Sequence, residues 1–354
     1  MITRLTLTDF RNHEFGRVDT RGARNIIITG PNGAGKTAIL EAVSILGGHR
    51  GMRGAAMTDI ARFGGVGGFS VHAELDNQTE VAVSFSPGDA NRRARIDGDA
   101  APLADLAKHI RVVWITPRED RLFVDSASER RAFFDRLAAA FDATHSGRVA
   151  RFSKLMSERA AAIKAGANTR WLDALDAQIA AAAVSIAAAR IQYAGEVNYF
   201  LKNAAVSVTG MVESMIIQDA PAAEGAYLAY LRENRALIGD KMLVDGPHKS
   251  DFGVFNNALN LPAHITSTGQ QKSVLLDLIL AHAQLMHEKT FAQPIILLDE
   301  AAAHLDSAAR MRLFSALSNA CAQVWATGLD KSAFADVPDA AFVTCNNGAI
   351  NNIV

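Results

Sequence analysis

The chain has 354 residues, 49% of them hydrophobic, which predicts about two domains and enough apolar surface for a large buried core. Its formal net charge of −1 excludes a polycation that binds nucleic acid through its overall field, so such contacts would depend on local basic patches. Two cysteines far apart in the sequence exclude a disulfide framework and a cysteine-rich metal site, and are typical of a reducing compartment.

The amino-terminal region predicts neither a signal peptide nor a membrane segment. Charged residues occur at Arg4, Asp9 and Arg11, where a secretory signal would be apolar. No apolar run is expected to reach the roughly 20 residues that a helix needs to cross a bilayer. We therefore expect a soluble, cytoplasmic protein without a membrane partner. Residues 4–8 alternate between polar and apolar side chains, which predicts a half-buried strand.

A glycine-rich segment at residues 30–37 predicts a nucleoside triphosphate site. It follows the pattern G-x-x-x-x-G-K-[ST], after a run of three isoleucines and before an apolar helical pattern. Glycines let the backbone turn its N–H groups toward phosphate oxygens, and the helix adds the positive end of its dipole. Lys36 is expected to reach the β- and γ-phosphates, and the Thr37 hydroxyl to bind Mg²⁺. The predicted nucleotide-contacting residues are Gly30, Pro31, Asn32, Gly33, Ala34, Gly35, Lys36 and Thr37.

The next segment predicts a small antiparallel sheet attached to the nucleotide-binding core. Apolar and polar residues alternate over residues 69–75 and again over 81–85, with Asp76 and Asn77 between them as a turn. Ile96 closes a third predicted strand.

Residues 119–245 predict a mostly helical insertion. Ser126 and Glu129 form a capping-box pattern, and alanine, arginine and leucine dominate residues 148–205. No heptad repeat is sustained over several turns, which argues against a long coiled coil. One long helix is predicted with an apolar face that contains Trp171, Leu172, Leu175, Ile179 and Ala183.

The α/β pattern returns after the insertion. Residues 274–286 are apolar nearly all round, as in a buried helix. Residues 294–298 form a short apolar run typical of a central parallel strand, and residues 324–327 are a predicted neighbour. The predicted fold class is therefore α/β, with a parallel core sheet, a small antiparallel sheet and a helical insertion. The predicted domains are residues 1–118 and 246–354 for the nucleotide-binding domain and 119–245 for the insertion.

Two acidic residues follow the predicted central strand. Asp299 stands where an acid can hold Mg²⁺ through its water shell. Glu300 is expected to polarise an attacking water as a general base. Two solvent-facing carboxylates at a strand end are the alternative, which the P-loop in the same chain disfavours.

A segment before the apolar helix is a candidate second anion site. Ser267, Gly269 and Gln270 stand at the predicted helix N-terminus, where they either bind an anion or simply cap the helix. The order of motifs resembles that of the ABC-type ATPases, down to Leu305 and Asp306 after the acidic pair. This resemblance implies an ATP-sandwiched homodimer, in which Ser267 acts in trans on the γ-phosphate held by the other protomer.

Further motifs resemble the RecF family of bacterial recombination mediators over essentially the whole chain. They are residues 7–12, 49–53, 116–120, 128–136 and 245–249. The resemblance implies an SMC-like ATPase head with a helical lid, and ATP with Mg²⁺ as the ligand. It implies a dimer that clamps DNA at single-strand gaps and stalled forks, and that hydrolysis releases. It also implies the partners RecO and RecR, recombinase loading and a link to the SOS response.

The same resemblance places two more residues beside the nucleotide. Arg11 and Asn12 match family residues at that place, although Arg11 could equally cap carbonyl groups at its strand end. Two family features are missing. No histidine follows the strand after the acidic pair, where Thr327 and Asp330 are open alternatives. No glutamine enters the insertion, where the candidates are Glu119 and Asp120. Both absences predict a slow ATPase that works as a switch.

Several basic clusters are candidate contacts to DNA phosphates, each weighed against an ordinary solvated surface charge. No aromatic residues are interleaved among them, so they predict backbone binding that is independent of base sequence. The clusters are Arg92, Arg93 and Arg95; Arg50 and Arg53; Arg148, Arg151, Lys154 and Arg159; and Arg130, Arg131 and Lys249.

Three alternative functions compete with a DNA-binding ATPase. A P-loop small-molecule kinase has no use for the Ser-x-Gly-Gln segment that begins at Ser267. A regulatory protein that binds ATP without hydrolysing it has no use for Glu300. The soluble subunit of a transporter is disfavoured by the missing histidine and by the RecF-like motifs.

Overall fold

The computed structural model describes most of the chain, with short gaps. Within the described residues there are eight α-helices and fifteen strands. His49, which belongs to one of the family-like motifs, lies outside the described residues, as do parts of the predicted insertion. The described residues are 1–48, 50–204, 206–209, 220–237, 244–300, 302 and 305–353.

The helices are α1 Lys36–Leu46, α2 Met57–Ile60, α3 Ala127–Ala138, α4 His145–Lys164, α5 Thr169–Leu201, α6 Ala220–Glu233, α7 Thr268–Thr290 and α8 Ser307–Ala320. The strands are β1 Ile2–Phe10, β2 His13–Asp19, β3 Asn25–Thr29, β4 Phe69–Leu75, β5 Glu80–Phe85, β6 Arg93–Ile96, β7 Asp99–Ala101, β8 Val112–Ile115, β9 Val206–Thr209, β10 Gly253–Asn256, β11 Leu261–Pro262, β12 Ile295–Leu298, β13 Gln323–Gly328, β14 Ala340–Asn346 and β15 Ala349–Ile353.

A mostly parallel sheet has the strand order β15-β14-β3-β13-β12-β8. Only β15 runs antiparallel to its neighbour among these described strands. Every residue of β3, β8, β12 and β13 is buried, because both faces of such a sheet are covered. The predicted central strand at 294–298 and its neighbour at 324–327 are confirmed as β12 and β13.

A second sheet is antiparallel, with the order β2-β1-β4-β5-β6-β7. Burial alternates strictly along β4, so one face packs on the core while the other meets solvent. The three strands predicted here are present as β4, β5 and β6. The sheet is larger than predicted because the amino-terminal hairpin β1–β2 pairs with β4 and completes it.

Helix α1 lies in the core between these two sheets. Ten of its eleven residues are buried, and the seven apolar ones among them pack in one cluster with side chains from β1, β4, β5 and β12. A helix that is apolar on nearly all sides is stable only where protein surrounds it. The helix that follows the P-loop is therefore embedded in the main core of its unit.

The chain divides into two compact units. The first contains Met1–Asp120 and Ala283–Val354, and the second contains Arg121–His282. The second unit runs further than the insertion predicted at 119–245, because β9 in the insertion pairs with β10 beyond it. The predicted domain boundaries stay a prediction.

The second unit is mostly helical around a core of its own. Buried side chains from α4, α5 and α6 form that core. Ser126 caps α3 by accepting a hydrogen bond from the Glu129 backbone N–H at 3.3 Å, as the capping-box pattern predicted. The predicted apolar face of α5 is buried at four of its five positions, but Trp171 is 53% exposed and does not belong to it.

Helix α5 is long and apolar enough, by length and composition alone, to cross a membrane. Its most apolar 18-residue window has a mean hydropathy of 1.4, and half of that window is buried inside the protein. The expectation that no segment reaches this threshold is therefore wrong for α5. Two buried ion pairs, of Asp176 with Arg159 and of Arg190 with Asp135, are what a core helix carries, since charges are costly in lipid.

Both cysteines are buried and unbonded to each other. Burial raises the pKa of the Cys321 thiol to about 12 and that of Cys345 to about 11. Thiols that stay protonated are poor nucleophiles and metal ligands, which agrees with the prediction of two ordinary buried thiols.

Candidate nucleotide-binding site

The predicted P-loop connects β3 to α1 with glycines in left-handed conformations. Gly30, Gly33 and Gly35 have φ angles of 147°, 80° and 109°. A side chain at Gly30 would overlap the carbonyl oxygen of Cys345, and one at Gly35 would lie 2.6 Å from the His13 ring. The loop therefore needs glycine for its backbone conformation and also for its close contacts with neighbouring strands.

Lys36 is buried at the first position of α1 and points back across the loop. Its Nζ donates to the carbonyl oxygens of Gly30 at 2.6 Å and Pro31 at 3.0 Å. An ammonium group has three donors, so these contacts hold the charge over the loop where phosphate oxygens are expected. The phosphate-binding role of Lys36 stays a prediction.

The P-loop and the acidic pair meet at one carboxylate oxygen. Oδ1 of Asp299 accepts from the Thr37 hydroxyl at 3.0 Å and from the Thr327 hydroxyl at 2.9 Å. Burial raises the pKa of the Asp299 carboxyl, and the two hydroxyl groups act in the opposite direction. Burial has the larger effect, so the pKa of Asp299 is raised overall, while the two hydroxyl groups fix the position of Oδ1.

Glu300 has a strained backbone beside this cluster. Its φ angle is 55°, which is uncommon for a residue with a side chain. Its backbone N–H donates to the Thr327 hydroxyl oxygen at 2.8 Å. Its half-buried side chain follows directly after Asp299, and its role as a general base stays a prediction.

The site contains oxygen ligands of the kind that Mg²⁺ prefers. Thr37 and Asp299 bring a hydroxyl and a carboxylate together at the end of the P-loop, and magnesium favours such hard oxygen ligands. No cluster of three or more His, Cys, Asp or Glu residues that could hold a metal occurs in the described part of the chain. The role of Thr37 and Asp299 in holding Mg²⁺ stays a prediction.

Arg11 contacts both α1 and α2 through its three guanidinium nitrogens. Two of them donate to the two carboxylate oxygens of buried Glu41, both at 2.7 Å, and the third donates to the Asp59 carbonyl at 2.7 Å. Asn12 Nδ2 reaches the Gly33 carbonyl at 3.5 Å. The structure thus supports the alternative of a carbonyl-capping, structural arginine, and the nucleotide contacts of Arg11 and Asn12 stay a prediction.

The Ser267 segment is an exposed helix N-terminus in the second unit. Gln270 N–H donates to the Ser267 hydroxyl at 3.4 Å, and Ser267 N–H donates to the Gln270 side-chain oxygen at 3.0 Å. This reciprocal capping starts α7 and leaves Ser267, Gly269 and Gln270 accessible to solvent. The trans role predicted for these residues stays a prediction.

Sequence reasoning left three site features open or missed them. It could not choose between Thr327 and Asp330, whereas the structure places Thr327 in the acidic cluster and Asp330 at the N-cap of a short 3₁₀ turn. It did not single out His13, whose ring nitrogens lie 3.1 Å from the Gly35 carbonyl and 2.7 Å from the Gly348 carbonyl. Glu119 accepts from the Thr116 backbone and hydroxyl in its own turn, and its proposed link to the nucleotide stays a prediction.

The comparisons with known proteins identify the family. The family model described as RecF/RecN/SMC N terminal domain matches residues 1–351. A protein described as DNA replication and repair protein RecF, from Rhizobium leguminosarum bv. trifolii, is 37% identical over 359 residues, which cover 97% of this chain and 96% of that protein. The chain belongs to the RecF family. It is thus a member of a family of ABC-type ATPases, as the motif order predicted.

Solved RecF structures show the same fold. One, described as the recombination mediator protein RecF-ATPrS in the RecFOR pathway, has a TM-score of 0.85 at 20% identity and covers 100% of this chain and 98% of that chain. Another, described as RecF-ATP in the same pathway, has a TM-score of 0.82 at 20% identity, covering 100% and 99%. The predicted fold class, an α/β ABC-type ATPase head with a helical insertion, is confirmed.

Most candidate DNA contacts turn out to be paired within the protein. Arg159 is 1% exposed and donates to Asp176 and to a backbone carbonyl, so it is not a surface contact. Arg130 binds Asp251 through two nitrogens at 2.7 and 2.6 Å. Arg93 pairs with Asp89 at 2.5 Å but keeps 72% of its side chain exposed.

Proposed function

We propose that the chain is an ATP-hydrolysing, DNA-binding protein of recombinational repair that works as an ATP-dependent homodimer. The observation that carries the proposal is the shared contact of Thr37 and Thr327 with Asp299, next to Glu300. This contact connects the phosphate-binding loop to Asp299, which can hold a metal ion, and to Glu300, which can accept a proton from water. Membership of the RecF family supports the same reading.

The residues of the site have separate roles in the proposed hydrolysis. The backbone of residues 30–35 and the Lys36 ammonium bind the phosphates of ATP, and Thr37 and Asp299 hold Mg²⁺. When bound, Mg²⁺ would neutralise charge on the phosphate oxygens. Glu300 accepts a proton from the attacking water as general base. Turnover is proposed to be slow, so that the bound nucleotide acts as a switch.

The proposed dimer uses the exposed N-terminus of α7. Ser267, Gly269 and Gln270 of one protomer would contact the γ-phosphate held by the other, because helix N-termini attract anions. ATP binding then closes the dimer around DNA, and hydrolysis opens it. Contacts to the DNA are proposed to be electrostatic and independent of base sequence.

The proposed setting follows from the relatives. They are described as DNA replication and repair proteins and as mediators in the RecFOR pathway. We propose that this chain acts at single-strand gaps and stalled forks in the cytoplasm, with RecO- and RecR-type partners, to promote recombinase loading as part of the SOS response.

Solution mass tests the proposed dimer. Light scattering is measured with and without ATP and Mg²⁺, with Glu300→Gln used to suppress turnover. We expect the mass to double with ATP in Glu300→Gln, and the doubling to disappear when Ser267→Arg is added, because a bulky cation blocks the helix N-terminus. A monomer in every condition, also with DNA present, would contradict the clamp and favour a kinase-like protein.

A further inference from the structure

We propose that Thr327 is the positioning residue of the acidic pair, and that its hydroxyl sets both the orientation of the Asp299 carboxylate and the backbone conformation of Glu300. This inference rests on the proposed ATP hydrolysis and adds a residue to it. Thr327 is fully buried on β13, between the strand that leads to the P-loop and the strand that leads to the acids.

The Thr327 hydroxyl accepts one hydrogen bond and donates another. The Glu300 backbone N–H donates to the Thr327 oxygen at 2.8 Å, and the Thr327 hydroxyl donates to Asp299 Oδ1 at 2.9 Å. A hydroxyl has one hydrogen, and an ionised carboxylate and a backbone N–H have fixed roles as acceptor and donor. With Asp299 ionised, the order is therefore Glu300 to Thr327 to Asp299, and such chains strengthen each member.

The consequence for Asp299 is that its two oxygens become different. Oδ1 takes the hydroxyl groups of both Thr37 and Thr327. The backbone N–H of Asp299 donates to the Ile115 carbonyl at 2.9 Å, so the main chain is fixed as well. The side chain and the main chain of Asp299 are thus both held in place.

The consequence for Glu300 is a stabilised left-handed backbone. A φ of 55° costs energy for any residue with a Cβ atom, and persists only where neighbouring groups hold it. The hydrogen bond from Glu300 N–H to Thr327 supplies such a hold. Removing it would let the peptide relax and move the carboxylate away from its working position.

The three described residues that follow Thr327 in the chain cannot take its place. A side chain at Gly328 would overlap the buried ring of Phe334. Leu329 is 63% exposed, and the Asp330 carboxylate accepts from the Ser332 backbone N–H at 3.0 Å. The structure therefore assigns to Thr327 the role that the sequence left open.

The test compares Thr327→Val with Thr327→Ser. Valine keeps the shape and loses the hydroxyl, whereas serine keeps the hydroxyl. We expect Thr327→Val to lower kcat for ATP hydrolysis about tenfold or more with little change in KM, because displaced catalytic groups cost rate. Thr327→Ser should stay within about threefold of the unchanged protein.

A binding measurement that needs no turnover accompanies the kinetics. The affinity for a fluorescent ATP analogue is measured with Mg²⁺ and with EDTA. In Thr327→Val we expect the gain in affinity from Mg²⁺ to shrink, because Asp299 is no longer held, while the affinity in EDTA stays the same. Thr327→Ser should keep the gain.

A matched control separates positioning from stability. Thr20 is also fully buried in the first unit, and its hydroxyl donates to the Ile2 carbonyl at 2.8 Å. Thr20→Val should lower the melting temperature about as much as Thr327→Val and leave kcat unchanged. If Thr327→Val does not fold, Thr327→Ala replaces it in both measurements.

The outcomes are distinct. Normal turnover and a normal Mg²⁺ gain in Thr327→Val would overturn the positioning role of Thr327. Equal losses of kcat in Thr20→Val and Thr327→Val would mean that lower stability alone causes the loss. That result would also overturn the positioning role. Absence of ATP hydrolysis in the unchanged protein would instead contradict the proposed function.

Discussion

Asp277 is an acid at a half-buried position of α7, the helix that begins next to Ser267. Burial raises the pKa of its carboxyl from 3.8 to about 6. Desolvation penalises the charged form, so the folded protein binds the proton more tightly than the unfolded chain does. Asp277 therefore couples the stability of this unit to pH.

The sign of this coupling gives a prediction. Between about pH 4 and pH 6 the folded state holds a proton that the unfolded state has released, so stability falls as pH rises and is then constant. Asp277→Asn removes this fall and should raise the free energy of unfolding at pH 7 by about 1–3 kcal/mol, with partial exposure reducing the effect. Urea unfolding at pH 4.5 and pH 7 measures it. Equal gains at both pH values would contradict the assignment.

The carboxyl-terminal hairpin β14–β15 contacts the P-loop through hydrogen bonds of Gly348. Gly348 in its turn donates from its N–H to the Ala34 carbonyl at 3.1 Å, and its own carbonyl lies 2.7 Å from His13 Nδ1. The other ring nitrogen of His13 lies 3.1 Å from the Gly35 carbonyl. The last hairpin of the chain is thus part of the nucleotide-binding element, although more than 300 residues separate it from the loop.

Gly348→Ala tests this support. A Cβ atom there would overlap the Asn12 carbonyl, and Gly348 has a φ of 81°. Gly22→Ala is the matched control, because Gly22 has a φ of 77° and its Cβ would meet nothing within 4 Å. Both variants carry similar backbone strain. Only Gly348→Ala should weaken ATP binding, by about tenfold, in a fluorescence titration. Equal effects in both would mean that strain alone matters.

The elements of the first unit could be predicted largely from sequence, because their patterns are local. The isoleucines of β3, the alternation in β4 and the glycines of the P-loop each carry their own physical signal. The support of the loop by Gly348 and the choice of Thr327 over Asp330 could not be predicted, since both depend on strand order and register. Trp171 was misplaced because a helical period does not tell which edge of an apolar face is covered.

At the scale of the whole molecule, a net charge near zero means that DNA binding has to come from a local patch. Arg93 and Arg95 lie in β6, and Arg92 directly precedes this strand; burial together with nearby Arg50 lowers the pKa of Arg92. A group that is desolvated beside a like charge gains from a phosphate partner. This cluster is our preferred candidate contact in the first unit.

Replacing Arg92, Arg93 and Arg95 with alanine should weaken DNA binding and flatten its salt dependence. Removing one contact to a phosphate reduces the slope of log K against log salt by about 0.7–0.9. Titrations at several salt concentrations measure the slope. The control is Lys108→Ala, because Lys108 is an exposed residue that pairs with Asp105 and belongs to none of the candidate clusters. An unchanged slope in the triple variant would remove this cluster from the DNA-binding surface.

The placement of α1 between two sheets also has a consequence for the life of the protein in a cell. Because this helix has no separate core, it does not loosen while the rest of its unit stays intact. Nucleotide held at its first turn therefore stabilises the entire unit, by about 2.7 kcal/mol when ATP is a hundredfold above its Kd. Cellular proteases cut the opened chain. We expect the abundance of this protein to follow the energy supply of the cell, with starvation shortening its lifetime.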